Sequence, residues 1–414
     1  MTDVTAAVKD AGTRVWNRGF TNIFVAYILV NLALNMSNNL ATPYANSLGA
    51  TPVLLGVVAT GFTYGAIVFK LASAPAIDTF NRKVVLLSAI GVIGIAFIGY
   101  ALSTTVPVLI TFRVIQGIGQ AFTATCFIAL AADTLPREKL ASGMGIFATG
   151  TAAAMILGAP IVLKIQEATN YRVAFLVAFA ILVVGALAVT RIKIKPFPKK
   201  KFRISVKGFI APEALPPAFM QLLFMLAWSS VFAFLIVFGQ EQGLGSNVGF
   251  FNTAYGLAVF AAAPLGGRLV DRFGYLMMIP MLVFMAIALW LISYSTSMPM
   301  LLTAAVFGAF GYGAAGPVVR SMAMGVVPKS RRGSASSTLY LASDIGQLVG
   351  PVVGGLIIAS FGYETMYRVA PVYLVLAVLL LIFSRGYVKS RSAKVAAEEK
   401  AAEAAADAEA VRPA

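Results

Sequence analysis

A chain of 414 residues that is 59% apolar and only 12% charged cannot clothe a soluble surface, and it is too apolar to stay disordered. Its single cysteine, Cys126, excludes an intramolecular disulfide framework; the absence of histidine removes Ser–His and Cys–His catalysis, histidine zinc sites and histidine proton relays. The formal net charge of +16 sits in short Lys/Arg clusters between long apolar runs, which orients a membrane protein and argues against a nucleic-acid partner.

The N-terminus, Met1 to Arg18, is polar and mixed in charge. The first apolar run, from about Phe20 to Ala45, is too long for a cleavable leader and reads as a retained helix. About 20 apolar residues are needed per crossing. Twelve spans are expected, near 20–43, 52–77, 84–103, 107–131, 141–165, 170–192, 216–239, 248–269, 276–295, 299–327, 334–360 and 367–386. An even number puts both termini on one side. Of the 32 Lys and Arg, 26 then fall on that side, three on the other (Lys164, Arg172, Arg368) and three within spans (Lys70, Arg113, Arg320). This bias predicts a multi-pass inner-membrane protein with both termini cytoplasmic.

The longest internal gap carries Lys199-Lys200-Lys201 and divides the spans six and six. The expected organisation is a bundle over 1–192, a basic linker over 193–215, a second bundle over 216–386 and a solvated, partly helical Ala/Glu-rich tail over 387–414. The halves also repeat. Asp78 and Asp271 lie 193 residues apart; Pro136 and Pro328 lie 192 apart, as do Gly158 and Gly350. The fold class expected is an all-α membrane protein with twelve transmembrane helices in two pseudo-symmetric six-helix bundles. Parallel repeats of this kind place a substrate site between the halves.

Four segments carry a family likeness. Gly267-Arg-Leu-Val-Asp271-Arg272-Phe-Gly274 follows the eighth span, and a partial copy with Asp78, Arg82 and Lys83 follows the second. Arg113-Val-Ile-Gln116-Gly117-Ile-Gly119-Gln120-Ala121 lies in the fourth. Gly346-Gln-Leu-Val-Gly350-Pro351-Val-Val-Gly354-Gly355 lies in the eleventh. Together they resemble the major facilitator superfamily over about residues 15–390, nearest its drug and metabolite proton-antiporter branch. The loop motif is that family's G-x-L-x-D-R-x-G. The Gly-Pro motif is expected in helix 5 of its antiporters, whereas here helix 5 keeps only Gly158-Ala-Pro160. The resemblance implies alternating access, and it implies that helices 2 and 11 are neighbours across the interface between the halves.

Charges inside a bilayer are costly and mark functional positions. Arg113 is too deep to snorkel, and Gln116 and Gln120 share its helix face. Asn31, Asn35 and Asn38 form one polar stripe beside Asn39. These residues, with Tyr64, Trp228, Asn252 and Tyr312, are the expected cavity lining. Lys70 and Asp344 lie about 10 Å and about 15 Å above the inner ends of their helices, within a lysine's reach, and are expected to pair as a coupling element. Asp78, Arg82, Asp271 and Arg272 are expected to clamp the cytoplasmic side.

No nucleophile–base pair and no ATP-binding loop is visible, so the chain is not read as an enzyme. No cofactor or metal is expected. The expected function is secondary transport of a small organic solute by a monomer, as proton-coupled efflux. Two alternatives stand beside it: an organic-anion uptake or exchange permease, and a non-transporting receptor or scaffold, which would bind ligand without counterflow.

Overall fold

A computed structural model describes residues 16–135, 140–192, 210–328 and 331–410. The expected linker at 193–209, Pro136 and the two chain ends lie outside the described residues, as does the side chain of Asp78.

Twelve helices are long and apolar enough to cross a bilayer. In chain order they are α1 (Arg18–Ser47), α2 (Pro52–Thr79), α3 (Arg82–Leu102), α4 (Val106–Thr134), α5 (Leu140–Ala168) and α6 (Tyr171–Thr190). Then come α7 (Leu215–Glu241), α8 (Phe250–Phe273), α9 (Met278–Ser293), α10 (Met298–Gly325), α11 (Arg332–Val369) and α12 (Pro371–Ala410). Local chemistry sets several starts. Asn17, Asn81 and Asn170 each accept a backbone N–H of the first turn of α1, α3 and α6. Thr51 does the same for α2, with Pro52 at the first helical position.

One segment differs from the sequence reading, and one agrees with it. The eleventh span breaks close to its expected end, at Gly362, whose backbone is non-helical (φ 82°, ψ 169°). Only glycine takes that backbone without strain, so the chain bends there and resumes. The tail is continuous with the last span: α12 runs 40 residues, because Ala, Glu and Lys keep the helix going past the membrane. Its extension lies against the base of the second half. Val388 and Val395 are buried, Arg391 approaches Glu213 at 3.5 Å and Arg332 approaches Glu399 at 3.8 Å.

The first six helices pack chiefly on one another, and so do the last six. Between the sets run α2 against α11 and α5 against α8. The face holding both chain ends is called here the terminal face, and the opposite one the distal face. At the distal face the halves touch backbone to backbone. A Cβ on Gly56 or Gly355 would run into the carbonyl of Pro351 or Pro52, and one on Gly249 would lie 2.9 Å from Pro160 N. Ser246 Oγ donates to Glu167 Oε2 at 2.5 Å across the same seam, and Thr253 Oγ1 to the Ile156 carbonyl at 2.7 Å. Nearer the terminal face, Leu257, Phe260 and Leu265 of α8 are exposed.

Glycine also sets the packing inside each half. Gly346, Gly350 and Gly354 face Met225, Ser229 and Ser230, which lets α11 lie close on α7. Gly117 faces the Phe62 carbonyl, which does the same for α2 and α4. Gly117→Val is expected to lower stability by about 1–3 kcal/mol through overpacking. Gly91→Ala, a position with open space around it, is expected to be neutral. Thermal unfolding in detergent, followed by gel filtration, checks both.

Candidate functional site

The tight α2–α4 crossing carries Arg113 across to α2 and α1. Its Nε donates to the Val58 carbonyl at 2.9 Å and its Nη2 to the Ala59 carbonyl at 2.8 Å. Nη1 donates to Asn38 Oδ1 at 2.7 Å and to Gln116 Oε1 at 3.1 Å. The guanidinium also lies 4.8 Å from the Phe62 ring. Tyr100 OH donates to Gln116 Oε1 at 2.5 Å, and Gln116 Nε2 to Asn38 Oδ1 at 3.2 Å, so the acceptors are themselves held. Arg113 is 1% exposed, and no carboxylate pairs with it among the described residues. A guanidinium has five N–H donors; four are used by neutral oxygens, leaving one.

Beside this cluster is a chamber of about 230 Å³ between the two halves. Asn35, Asn38, Asn39, Thr42 and Thr60 line it from one half; Ser229, Phe232, Asn252, Gln347 and Pro351 line it from the other. Asn39 Nδ2 donates to the Asn35 carbonyl and side chain at 2.8 and 2.9 Å. Asn252 Nδ2 donates to Asn39 Oδ1 at 3.0 Å, joining the halves above the chamber.

Several expected lining residues sit elsewhere. Asn31 turns its amide back to the Tyr27 carbonyl at 2.9 Å and does not border the chamber, so the asparagine stripe is 35, 38 and 39. Gln116 is fully buried behind Arg113, and Gln120 accepts from it at 3.5 Å; both support the arginine without lining the chamber. Trp228 is fully buried, stacked on Tyr312 at 5.9 Å and tilted on Tyr255 at 5.6 Å. Gly308 leaves it the room, and its indole N–H finds no acceptor among the described residues. Tyr312 lies in a π-helical turn, Ala309–Gly313, and borders a separate cavity of about 70 Å³ with Gln221, Arg320 and Tyr340. Its hydroxyl donates to Met225 Sδ at 2.8 Å. Tyr64 is 40% exposed and outside the chamber lining. Thr60, Ser229 and Gln347 were not foreseen; Gln347, a polar residue inside the helix 11 glycine motif, was the readable signal.

Nearer the terminal face, Lys70 Nζ donates to Asp344 Oδ2 at 2.7 Å, bridging α2 and α11. The ammonium lies 5.2 Å from the Tyr340 ring. The pair borders a second, mostly apolar chamber of about 390 Å³. At the loops, Arg82 pairs with Asp133 at the end of α4. Asp271 is exposed and makes no ion pair among the described residues, while Arg272 lies 5.2 Å from the Phe273 ring.

Comparison with known proteins decides the family. The model of the Major Facilitator Superfamily matches residues 23–252 and 217–412. The chain belongs to the major facilitator superfamily. Multidrug resistance protein MdtG of Escherichia coli is 26% identical over 375 residues, covering 86% of this chain and 91% of that one. The multi-drug resistance efflux pump PmrA of Streptococcus pneumoniae is 25% identical over 304 residues, covering 70% and 75%. Among solved structures, a variant of the nucleoside transporter NupG superposes with a TM-score of 0.79 at 12% identity, over 88% of this chain and 98% of that one. A bacterial homologue of the lysosomal transporter Spinster, captured inward-facing and occupied, gives 0.70 at 16% identity, over 90% and 96%. These last two share the fold. The protein is a multi-pass membrane transporter.

The fork of Arg113 is already filled by protein oxygens, so a two-pronged grip on a substrate carboxylate, open to a free arginine, is not available here. Arg113 itself borders the chamber, so its charge faces that space directly. Hydrogen bonds to a charged group are worth about 1.5–3 kcal/mol each. Arg113→Lys, which keeps the charge and loses most of these bonds, is expected to cut transport at least about tenfold. Arg113→Ala is expected to abolish it. Counterflow in liposomes checks both, with gel filtration to monitor folding.

Proposed function

We propose that this chain is a secondary transporter that moves a small organic solute across the cytoplasmic membrane by alternating access, as proton-coupled efflux. The observation that carries this reading is the pairing of a closed distal seam with a polar chamber between the halves, walled by a buried arginine without an acid partner. The excess of Lys and Arg supports a cytoplasmic terminal face. The conformation then faces inward, and Asp271, exposed and without an ion pair among the described residues, fits a cytoplasmic clamp in its open state. Asp78, Arg82, Asp271 and Arg272 would re-form it when the cytoplasmic side shuts. The Lys70–Asp344 pair is the proposed coupling element, because Asp344 is the one carboxylate well inside a span. Export is supported by the multidrug resistance relatives. The transporter is proposed to work as a monomer.

A second reading, uptake or exchange of organic anions, is favoured by the uncompensated charge of Arg113, which makes the chamber positive. Liposome flux under an imposed pH gradient, run on a panel of metabolites and drugs in both orientations, separates the two. Flux that ignores the pH gradient for every transported solute would remove the proton coupling.

The clamp has its own test. Asp271→Asn should favour the inward-facing state. Cysteines placed by Leu140→Cys or Ser330→Cys, in a Cys126→Ser background, should then be labelled faster from the cytoplasmic side. Unchanged labelling would refute the gating role.

A further inference from the structure

The chamber at Lys70–Asp344 is larger than the polar one, about 390 Å³ against about 230 Å³. The two are stacked along the same helix faces. On α11, Tyr340 and Asp344 border the lower chamber, and Gln347 and Pro351 the upper. On α2, Ile67 and Lys70 lie below and Thr60 above. A solute entering from the terminal face therefore meets the lower chamber on its way to the arginine. Its wall is aliphatic and aromatic, with Ile67, Leu71, Leu341 and the half-exposed Tyr340. Its charged groups are Lys70, on α2, and Asp344, on α11; Tyr340 is the remaining titratable group on its wall.

The pair is unequal in access. The Lys70 side chain is 40% exposed and that of Asp344 19%. An ammonium has three N–H donors, and among the described residues Asp344 is the one hydrogen-bond acceptor of Lys70 Nζ. Lys70 thus points spare donors into an apolar space, beside a ring, with a single carboxylate holding its charge.

We infer that this chamber is a ligand site for an amphipathic organic monoanion, whose carboxylate takes the place of Asp344 on Lys70 while its apolar body lies against Tyr340, Ile67, Leu71 and Leu341. The inference rests on the second transport reading above, organic-anion uptake or exchange. It adds the substrate class and the sign of the proton linkage. Asp344 and the ligand's carboxylate compete for one ammonium, so a proton on Asp344 removes the competitor. Anion and proton then bind together, each raising the affinity for the other by the same factor. A cationic solute would show the opposite sign, since it would compete with the proton for Asp344. A carrier with this linkage moves acid and proton in the same direction, along the sum of their gradients.

The test uses the full chain in nanodiscs of neutral lipid, with radiolabelled phenylbutyrate as the anion and phenylbutyramide as its neutral isostere, by equilibrium dialysis. Phenylbutyrate is expected to bind at least about tenfold tighter than the amide, and to bind tighter as pH falls. Asp344→Asn, which keeps an acceptor for Lys70 and so keeps the fold, should bind phenylbutyrate tighter at pH about 8 and lose the pH dependence. Lys70→Gln should lose the preference for the acid over the amide. Tyr340→Leu should weaken both compounds alike. Equal binding of acid and amide in the wild type, or an unaltered pH slope in Asp344→Asn, would overturn the inference. Wild-type counterflow on the wider solute panel keeps the readings apart. Counterflow without acid preference sinks only this inference, whereas acid binding without any counterflow sinks the transport reading.

Discussion

A positive charge buried in a membrane protein must be surrounded by oxygen, and the first half of this molecule is arranged to supply it to Arg113. Three helices deliver the acceptors: α2 through two carbonyls, α1 through Asn38, and α4 through Gln116. Each delivery has a structural condition. The α2 carbonyls are in reach because Gly117, with Gly61 facing the arginine's own Cβ, lets α2 and α4 cross closely. Gln116 presents oxygen because Tyr100 donates to it from α3. The guanidinium therefore ties together the four helices α1 to α4. Neutral oxygens satisfy its hydrogen bonds and leave its net charge in place. That residual charge gives the neighbouring chamber its sign.

The second half is built on different means. Among its described residues it has no buried guanidinium cross-link. Its close packing comes from the α7–α11 glycine face and from an aromatic group in which Trp228 is stacked on Tyr312. The wide turn at Ala309–Gly313 positions that tyrosine. A π turn inside an α-helix is a local compromise that tends to mark positions held for function. One half is thus fastened by hydrogen bonds to a charge, the other by backbone proximity and rings. Between them α2 packs along α11 and α5 along α8, and the polar contacts across include an amide pair, Asn39 with Asn252, and an ion pair, Lys70 with Asp344, beside glycine against proline carbonyl.

Element positions were legible in the sequence because each crossing needs an apolar run of fixed length, and the loops between are short and polar. The pairing of Lys70 with Asp344 followed from depth alone once α2 and α11 were neighbours. The helix face that meets the cavity was much harder to read. In a membrane protein, lipid-facing and core-facing positions are both apolar, so a helix shows little contrast around its circumference. Asn31 and Asn35 share a face by spacing, yet one bonds its own backbone and the other borders the chamber. Trp228 had the composition of a cavity wall but lies one layer behind it, because Gly308 opens a slot that no periodicity reveals. The distal Glu167–Ser246 contact was unreadable for another reason: it joins two loop-proximal residues from different halves, and nothing local links them.

The unbroken α12 has a mechanical consequence. At 1.5 Å per residue its 40 residues extend about 60 Å, of which roughly 30 Å suffices for the hydrocarbon. The remainder is a stiff outrigger, rooted in the last span and riveted to the base of α7 and α11 through Glu213 and Arg332. A tilt of the second half by about 10° would swing the tip of that outrigger by about 5 Å. Any tilt of the second half would thus be carried into the aqueous phase as a displacement of the tail.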